Sequence, residues 1–208
     1  MIENLFIYIL FITYIALWRY RRRSIKKVTG IDPEVFVEAS SPLQKYFAQF
    51  IKFITIILVI LIIPHSLGIQ YYSMFSHFPP LDYFQADLIG FVIGLFGLAI
   101  CAIAQRTMAN SWRVGIDEIN KTKLITTGIF RYSRNPTYLG LVILIAGVWL
   151  IWPTWTIATF VILFYFFLEI QVRCEEEYLL QVHGDKYREY CSMTSRYFAL
   201  RRTSHNCE

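Results

Sequence analysis

Two polar clusters hold the residues of this chain that can do chemistry. The first runs Leu124-Ile125-Thr126-Thr127-Gly128-Ile129-Phe130-Arg131-Tyr132-Ser133-Arg134-Asn135-Pro136-Thr137-Tyr138. The second opens at Glu175-Glu176-Glu177 and continues through Leu179, Gly184, Tyr187 and Tyr190. Arg134-Asn135-Pro136 reads as a rigid lead-in to a helix. Proline is tolerated in a first helical turn, where its missing N–H would have gone unpaired, and it pushes the residue before it into an extended conformation. The free N–H groups of such a helix start can hold an anion or a carboxylate. In the second cluster, carboxylates crowd the end of an apolar run. They are costly there unless paired or hydrogen-bonded, and Glu169 and Arg173, spaced i,i+4, can pair. Each cluster alone also has a plain reading. The first is an interfacial loop whose arginines face lipid headgroups, and the second is the solvated end of an amphipathic helix.

The elements between the clusters bring them together. Apolar arms over 137–152 and 154–170 flank Trp152-Pro153-Thr154. At 1.5 Å per residue each arm is about 24–27 Å long, near the roughly 30 Å of a bilayer core. Two arms joined by a tight turn return the chain to the face it left, so Arg134 and Glu175 are expected at one membrane surface. An arginine-bearing loop and a carboxylate pair beneath apolar walls suit a polar cofactor beside a lipophilic substrate.

The rest of the chain supports that frame. It has 208 residues, of which 56% are hydrophobic, in long uncharged runs that indicate an integral membrane protein. Apolar arms are expected at 2–18, 46–63 and 87–104 as well, the third carrying Gly90, Gly94 and Gly97 at close-packing spacing. Residues 28–45 read as a loop, and 64–86 as an aromatic-rich interfacial segment. Gly184 reads as a helix stop, and Asp185 as the start of a following helix reaching to about Arg196.

The basic residues Arg19, Arg21, Arg22, Arg23, Lys26 and Lys27 follow the first arm, where a secretory signal would carry its charge before it. The segments 19–45, 105–136 and 171–208 hold all the lysines and arginines except Lys52, and 64–86 and 152–154 hold none. Because Lys and Arg favour the cytosolic side, the expected architecture is an all-α polytopic bundle of about five transmembrane helices. Its N-terminus is outside and its C-terminus cytosolic, with a C-terminal helical hairpin flanking a cytosolic cofactor pocket. The net charge of +5 is explained by this topology, and no nucleic-acid partner is expected. The cysteines Cys101, Cys174, Cys191 and Cys207 show no paired spacing, so thiols and not disulfides are expected. The histidines show no metal-ligand spacing.

With those motifs in place, residues from about 105 to 198 resemble the superfamily of isoprenylcysteine carboxyl methyltransferases and phospholipid methyltransferases. That family shows Leu-Val-x-x-Gly-x-Tyr, then Arg-His-Pro-x-Tyr, a hydrophobic hairpin, Glu-Glu-x-x-Leu, Phe-Gly, Tyr-x-x-Tyr and a late arginine. Here the positions read Leu124, Ile125, Gly128, Phe130, Arg134, Asn135, Pro136, Tyr138, Glu175, Glu176, Leu179, His183, Gly184, Tyr187, Tyr190 and Arg196. Three depart from the pattern: Asn135 stands for histidine, His183 for phenylalanine and Phe130 for tyrosine.

The resemblance implies S-adenosylmethionine as cofactor and a lipophilic acceptor arriving through the bilayer, such as a prenylcysteine-type carboxylate. It implies a cofactor site of Ile125, Thr126, Thr127, Gly128, Arg134, Asn135, Pro136, Tyr138, Glu175 and Glu176. Arg134, Arg173 and Arg196 become the catalytic candidates, the last two for an acceptor carboxylate, and no metal is implied. Residues 1–104 would form an acceptor-side region and 105–208 the methyltransferase core. The active site would face the cytosol, from a plasma membrane in a prokaryote or an endoplasmic reticulum in a eukaryote. Two alternatives stay open: an NADPH-dependent membrane reductase similar to the steroid reductases, and a non-catalytic membrane protein. The Glu-Glu-x-x-Leu segment favours the methyltransferase.

Overall fold

The computed structural model describes residues 2–35, 42–67, 78–117 and 122–198. The expected loop over 28–45, the aromatic segment with Tyr71, Tyr72 and Phe75, and the tail with Cys207 lie wholly or partly outside them. The described residues are helical without strands.

Helix α1 spans Ile2–Thr29, eleven residues beyond the apolar arm expected from sequence. The polar extension Arg19–Lys27 contains no helix breaker, and lysine and arginine are good helix formers. Gly30, at φ +72°, turns the chain, its N–H donating to Lys26 O at 3.0 Å. Beyond it Asp32 folds back on α1. Its carboxylate accepts from Arg22 Nε and Nη2, each at 2.9 Å, and from Lys26 Nζ at 3.2 Å. The Arg22 hydrogen bond outweighs burial and holds this carboxyl far down, at about 2. Val35 N donates to Val114 O, and Val114 N to Pro33 O. This stitches the α1 exit to the segment after α3.

Helix α2 spans Pro42–Ser66 and continues past Pro64, where the sequence suggested an end. A proline in the last turn forgoes only one backbone bond there. Helix α3 spans Phe84–Met108 and α4 Pro136–Ile151. Helix α5, Trp155–His183, is one continuous helix of about 43 Å at its 1.5 Å rise. Glu169 stands at the end of the apolar arm, and the polar last third beyond it carries Glu175, Glu176 and Glu177. Gly184, at φ +55°, ends it, and α6 follows over Asp185–Met193, three residues short of the expected end.

Three helices, Ile2–Thr29, Phe84–Ser111 and Trp155–His183, are long and apolar enough to cross a membrane, and Lys52–Ile63 and Pro136–Ile151 are shorter apolar helices. Each of these five helices overlaps one of the expected arms, three of them long enough to span.

The tightest pairing is α3 on α4. A Cβ at Gly97 would lie 2.5 Å from Gly140 O, and one at Gly147 2.5 Å from Gly90 O, so only glycine permits this approach. The hairpin turn at the other end is packed by Trp152, against which His65 stacks at 5.1 Å. Thr154 Oγ1 accepts from Ile157 N and meets His65 Nε2 at 2.9 Å. The core runs along the same axis through Ile7, Leu10, Leu98, Leu144, Ile151 and Ile157. The sequence division at residue 104 falls inside α3, whose main partner is α4.

Candidate active site

The first cluster contains a 3₁₀ turn over Gly128–Arg131. Gly128 enters it at φ +61°, and a Cβ there would sit 3.0 Å from Thr107 on α3. Tyr190 of α6 pins the turn by donating to Phe130 O at 2.6 Å. Four residues on, Asn135 is the N-cap of α4 and Pro136 its first residue. Asn135 does not cap with its side chain; that side chain is committed elsewhere.

Its partner is Glu176. Arg134 donates to this carboxylate from Nε at 3.0 Å and from Nη2 at 3.3 Å, a forked pair with side chains only 3% and 9% exposed. Asn135 Nδ2 donates to Oε1 at 2.8 Å, and Arg196 Nε to Oε2 at 2.9 Å. The remaining Arg134 nitrogen, Nη1, donates to Thr194 O at 3.0 Å and to Cys191 O at 3.3 Å. The segment 194–197 is strapped over this lock by backbone bonds, Arg134 N to Ser195 O and Asn135 N to Arg196 O. Ser133 Oγ also donates to Arg196 O. A buried ion pair holds only when its remaining donors and lone pairs are satisfied, and here they are.

A second array lies beside the lock. Tyr138 Oη donates to Glu175 Oε1 at 2.5 Å, and Gln171 Nε2 donates to the same oxygen at 2.9 Å. Glu169 forms a third centre, accepting from Arg173 Nε at 3.1 Å, Arg196 Nη1 at 3.4 Å and Tyr197 Oη at 2.5 Å. Burial pushes the Tyr187 and Tyr190 phenols above their ordinary value, and the Tyr197 phenol is raised by burial and by Glu169. All three stay protonated at neutral pH.

The structure therefore joins Arg134, Asn135, Glu176 and Arg196 directly, and Tyr138 with Glu175. Arg173 joins through Glu169, with its side chain 59% exposed. Pro136 is buried at the start of α4, Ile125 is half-buried, and Thr126, Thr127 and Gly128 are exposed just before the turn. No polar contact ties those last three to the lock among the described residues. Sequence reasoning missed Gln171, Ser133 and Tyr197 and took Glu169 only as a partner of Arg173. Gln171 was legible, one turn before Glu175 on the same face of α5; nothing local marks Tyr197. Cys191 is disulfide-bonded, against the expectation of thiols, while Cys101 and Cys174 are free. No group of three metal-ligating side chains occurs among the described residues.

The part of the chain that matches a known family includes the first segment and the glutamates of the second. The phospholipid methyltransferase family profile matches residues 87–186. The chain is similar to the isoprenylcysteine and phospholipid methyltransferases. A protein-S-isoprenylcysteine O-methyltransferase of Dictyostelium discoideum is 26% identical over 136 residues, 59% of this chain and 53% of that protein. A probable protein-S-isoprenylcysteine O-methyltransferase of Oryza sativa subsp. indica is 34% identical over 118 residues, 54% of this chain and 61% of that one. The protein-S-isoprenylcysteine O-methyltransferase of Saccharomyces cerevisiae is 28% identical over 127 residues, 54% of this chain and 52% of that one. The chain thus spans between half and two thirds of the length of these curated relatives. The resemblance read from the motifs stands. The family match takes in Arg134, Tyr138, Glu169, Gln171, Glu175 and Glu176, and Arg196 and Tyr197 lie beyond it.

Proposed function

We propose that this chain is a membrane methyltransferase that uses S-adenosylmethionine and methylates a lipophilic acceptor, a prenylcysteine-type carboxylate. The observation that carries this reading is the Arg134–Asn135–Glu176–Arg196 lock. It gathers the two motif segments shared with the methyltransferases at one end of an apolar hairpin. Charged and apolar surroundings meet there, as a polar cofactor and a lipophilic acceptor require.

The donor set suits the cofactor, which brings cationic, carboxylate and hydroxyl groups. Two buried polar atoms near the lock, Gln171 Oε1 and Tyr187 Oη, have no partner among the described residues. The backbone over Ile125–Gly128, with Tyr138 and Glu175, would hold the group. Arg134, Asn135 and Glu176 would act through position, fixing the entry to α4 against α5. When bound, the cofactor supplies a sulfonium methyl for in-line displacement, and the protein's share is orientation and exclusion of water. The strap over 194–197 and the apolar walls of α4 and α5 serve that exclusion. An acceptor carboxylate is already ionised at neutral pH and needs no general base; Asn135 cannot titrate, in keeping with such an acceptor. Arg173 and Arg196, both on Glu169, are the groups to receive it. The site would face the cytosol by the distribution of basic residues.

The test is methyl transfer from S-adenosylmethionine to a prenylcysteine by detergent-purified protein. Arg173→Leu removes an exposed guanidinium, and the expected result is a KM for the acceptor raised about tenfold with cofactor affinity unchanged. Binding of NADPH in place of S-adenosylmethionine, by calorimetry, would defeat the reading.

A further inference from the structure

Three glutamates of α5 are held near the site, and their partners differ in kind. Glu176 faces Arg134 and Arg196. Glu169 faces Arg173 and Arg196. Glu175 has a phenol and a carboxamide, and no cation within ion-pair distance among the described residues. A carboxylate at the membrane end of a bundle is costly without a countercharge. Two neutral hydrogen bonds leave its charge uncompensated.

The second observation is independent of the first. Gln171 is 2% exposed, and its Oε1 has no hydrogen-bond partner among the described residues. The carboxamide cannot be turned to cure this, because a carboxylate only accepts: Nε2 must face Glu175, so Oε1 is the end left over. The Gln171 oxygen and the half-buried Glu175 carboxylate, on side chains joined by a hydrogen bond, thus both keep acceptor capacity to spare. A group with positive charge and more than one N–H would serve both. A primary ammonium has three N–H donors and no acceptor.

We propose that Gln171 and Glu175 form a subsite for a primary ammonium group, with Tyr138 orienting the carboxylate. The inference rests on the methyltransferase reading for what enters the site, and it adds Gln171 as a binding residue. An ammonium can come from the amino-acid end of the cofactor or from the headgroup of an aminolipid.

Calorimetry on the full detergent-purified chain separates these sources, with wild type beside Gln171→Leu and Glu175→Gln. The probes are S-adenosylhomocysteine, methylthioadenosine (the same nucleoside without the amino-acid end), phosphatidylethanolamine and phosphatidylglycerol. If the cofactor is the source, S-adenosylhomocysteine binds about tenfold more weakly to both variants and methylthioadenosine binds as before. If the lipid is the source, phosphatidylethanolamine alone weakens by that factor. Equal weakening of ligands with and without the ammonium, or no weakening at all, overturns the subsite. Because each variant is judged by the ratio of two ligands, a general loss of fold is not mistaken for success. Wild type that binds no S-adenosylhomocysteine defeats the methyltransferase reading separately, and the two lipids alone then decide the subsite.

Discussion

Glu176 accepts from Arg134, Asn135 and Arg196, which lie before α4 and after α6. Its family position suggested a cofactor ligand; its hydrogen bonds make it a fastening between segments. Sequence spacing foresaw that Arg134 and the glutamates would meet but not which glutamate faces which base. Neighbouring residues on α5 differ by about 100° in direction, and only the placement of α4 and the strap selects between them. Asn135 becomes intelligible here. The position must donate both to Glu176 and to Arg196 O, and an amide NH₂ has two donors where a neutral imidazole has one. Glu176→Gln leaves the buried Arg134 guanidinium without its counter-ion and is expected to cost about 3–5 kcal/mol, whereas Arg134→Met leaves Glu176 still paired with Arg196 and should cost less. The double variant should cost less than the sum, and a double-mutant cycle from reversible unfolding in mixed micelles measures the difference.

At the scale of elements, the apolar arms were legible and the helix ends were not. Hydropathy marks where a helix leaves lipid, whereas the helix ends where the backbone turns. In α1 that is Gly30, and in α5 it is Gly184, each well past the end of its own helix's apolar arm. The glycines of α3 were legible as a packing surface, but their partners, Gly140 and Gly147, emerge only from the pairing itself. Gly97→Ala would place a methyl 2.5 Å from Gly140 O and 2.6 Å from Leu144 N, both backbone atoms that cannot yield. The expected result is a loss of several kcal/mol or failure to fold, read as a fall in Tm in detergent. Gly30→Ala meets nothing within 4 Å and pays only the strain of its positive φ, about 1 kcal/mol. The two variants side by side distinguish helix contact from turn geometry.

For the whole molecule, the distribution of basic residues makes a prediction that needs no substitution. Trypsin cleaves after lysine and arginine, and 64–86 and 152–154 contain neither. In sealed vesicles with the cytosolic face inward, the chain should survive added trypsin intact. In inverted vesicles it should be cut within 19–27 and after 171. Cleavage in both preparations would overturn the five-arm topology. The strap over 194–197 also sets an order in time. Translation adds about 5–20 residues per second, so about 3–12 s separate the synthesis of Arg134 from that of Arg196. During that interval Arg134 lacks the carbonyls of Thr194 and Cys191 and the second arginine on Glu176. The pocket is therefore among the last parts of the nascent protein to mature, after the hairpin that supports it has already been made.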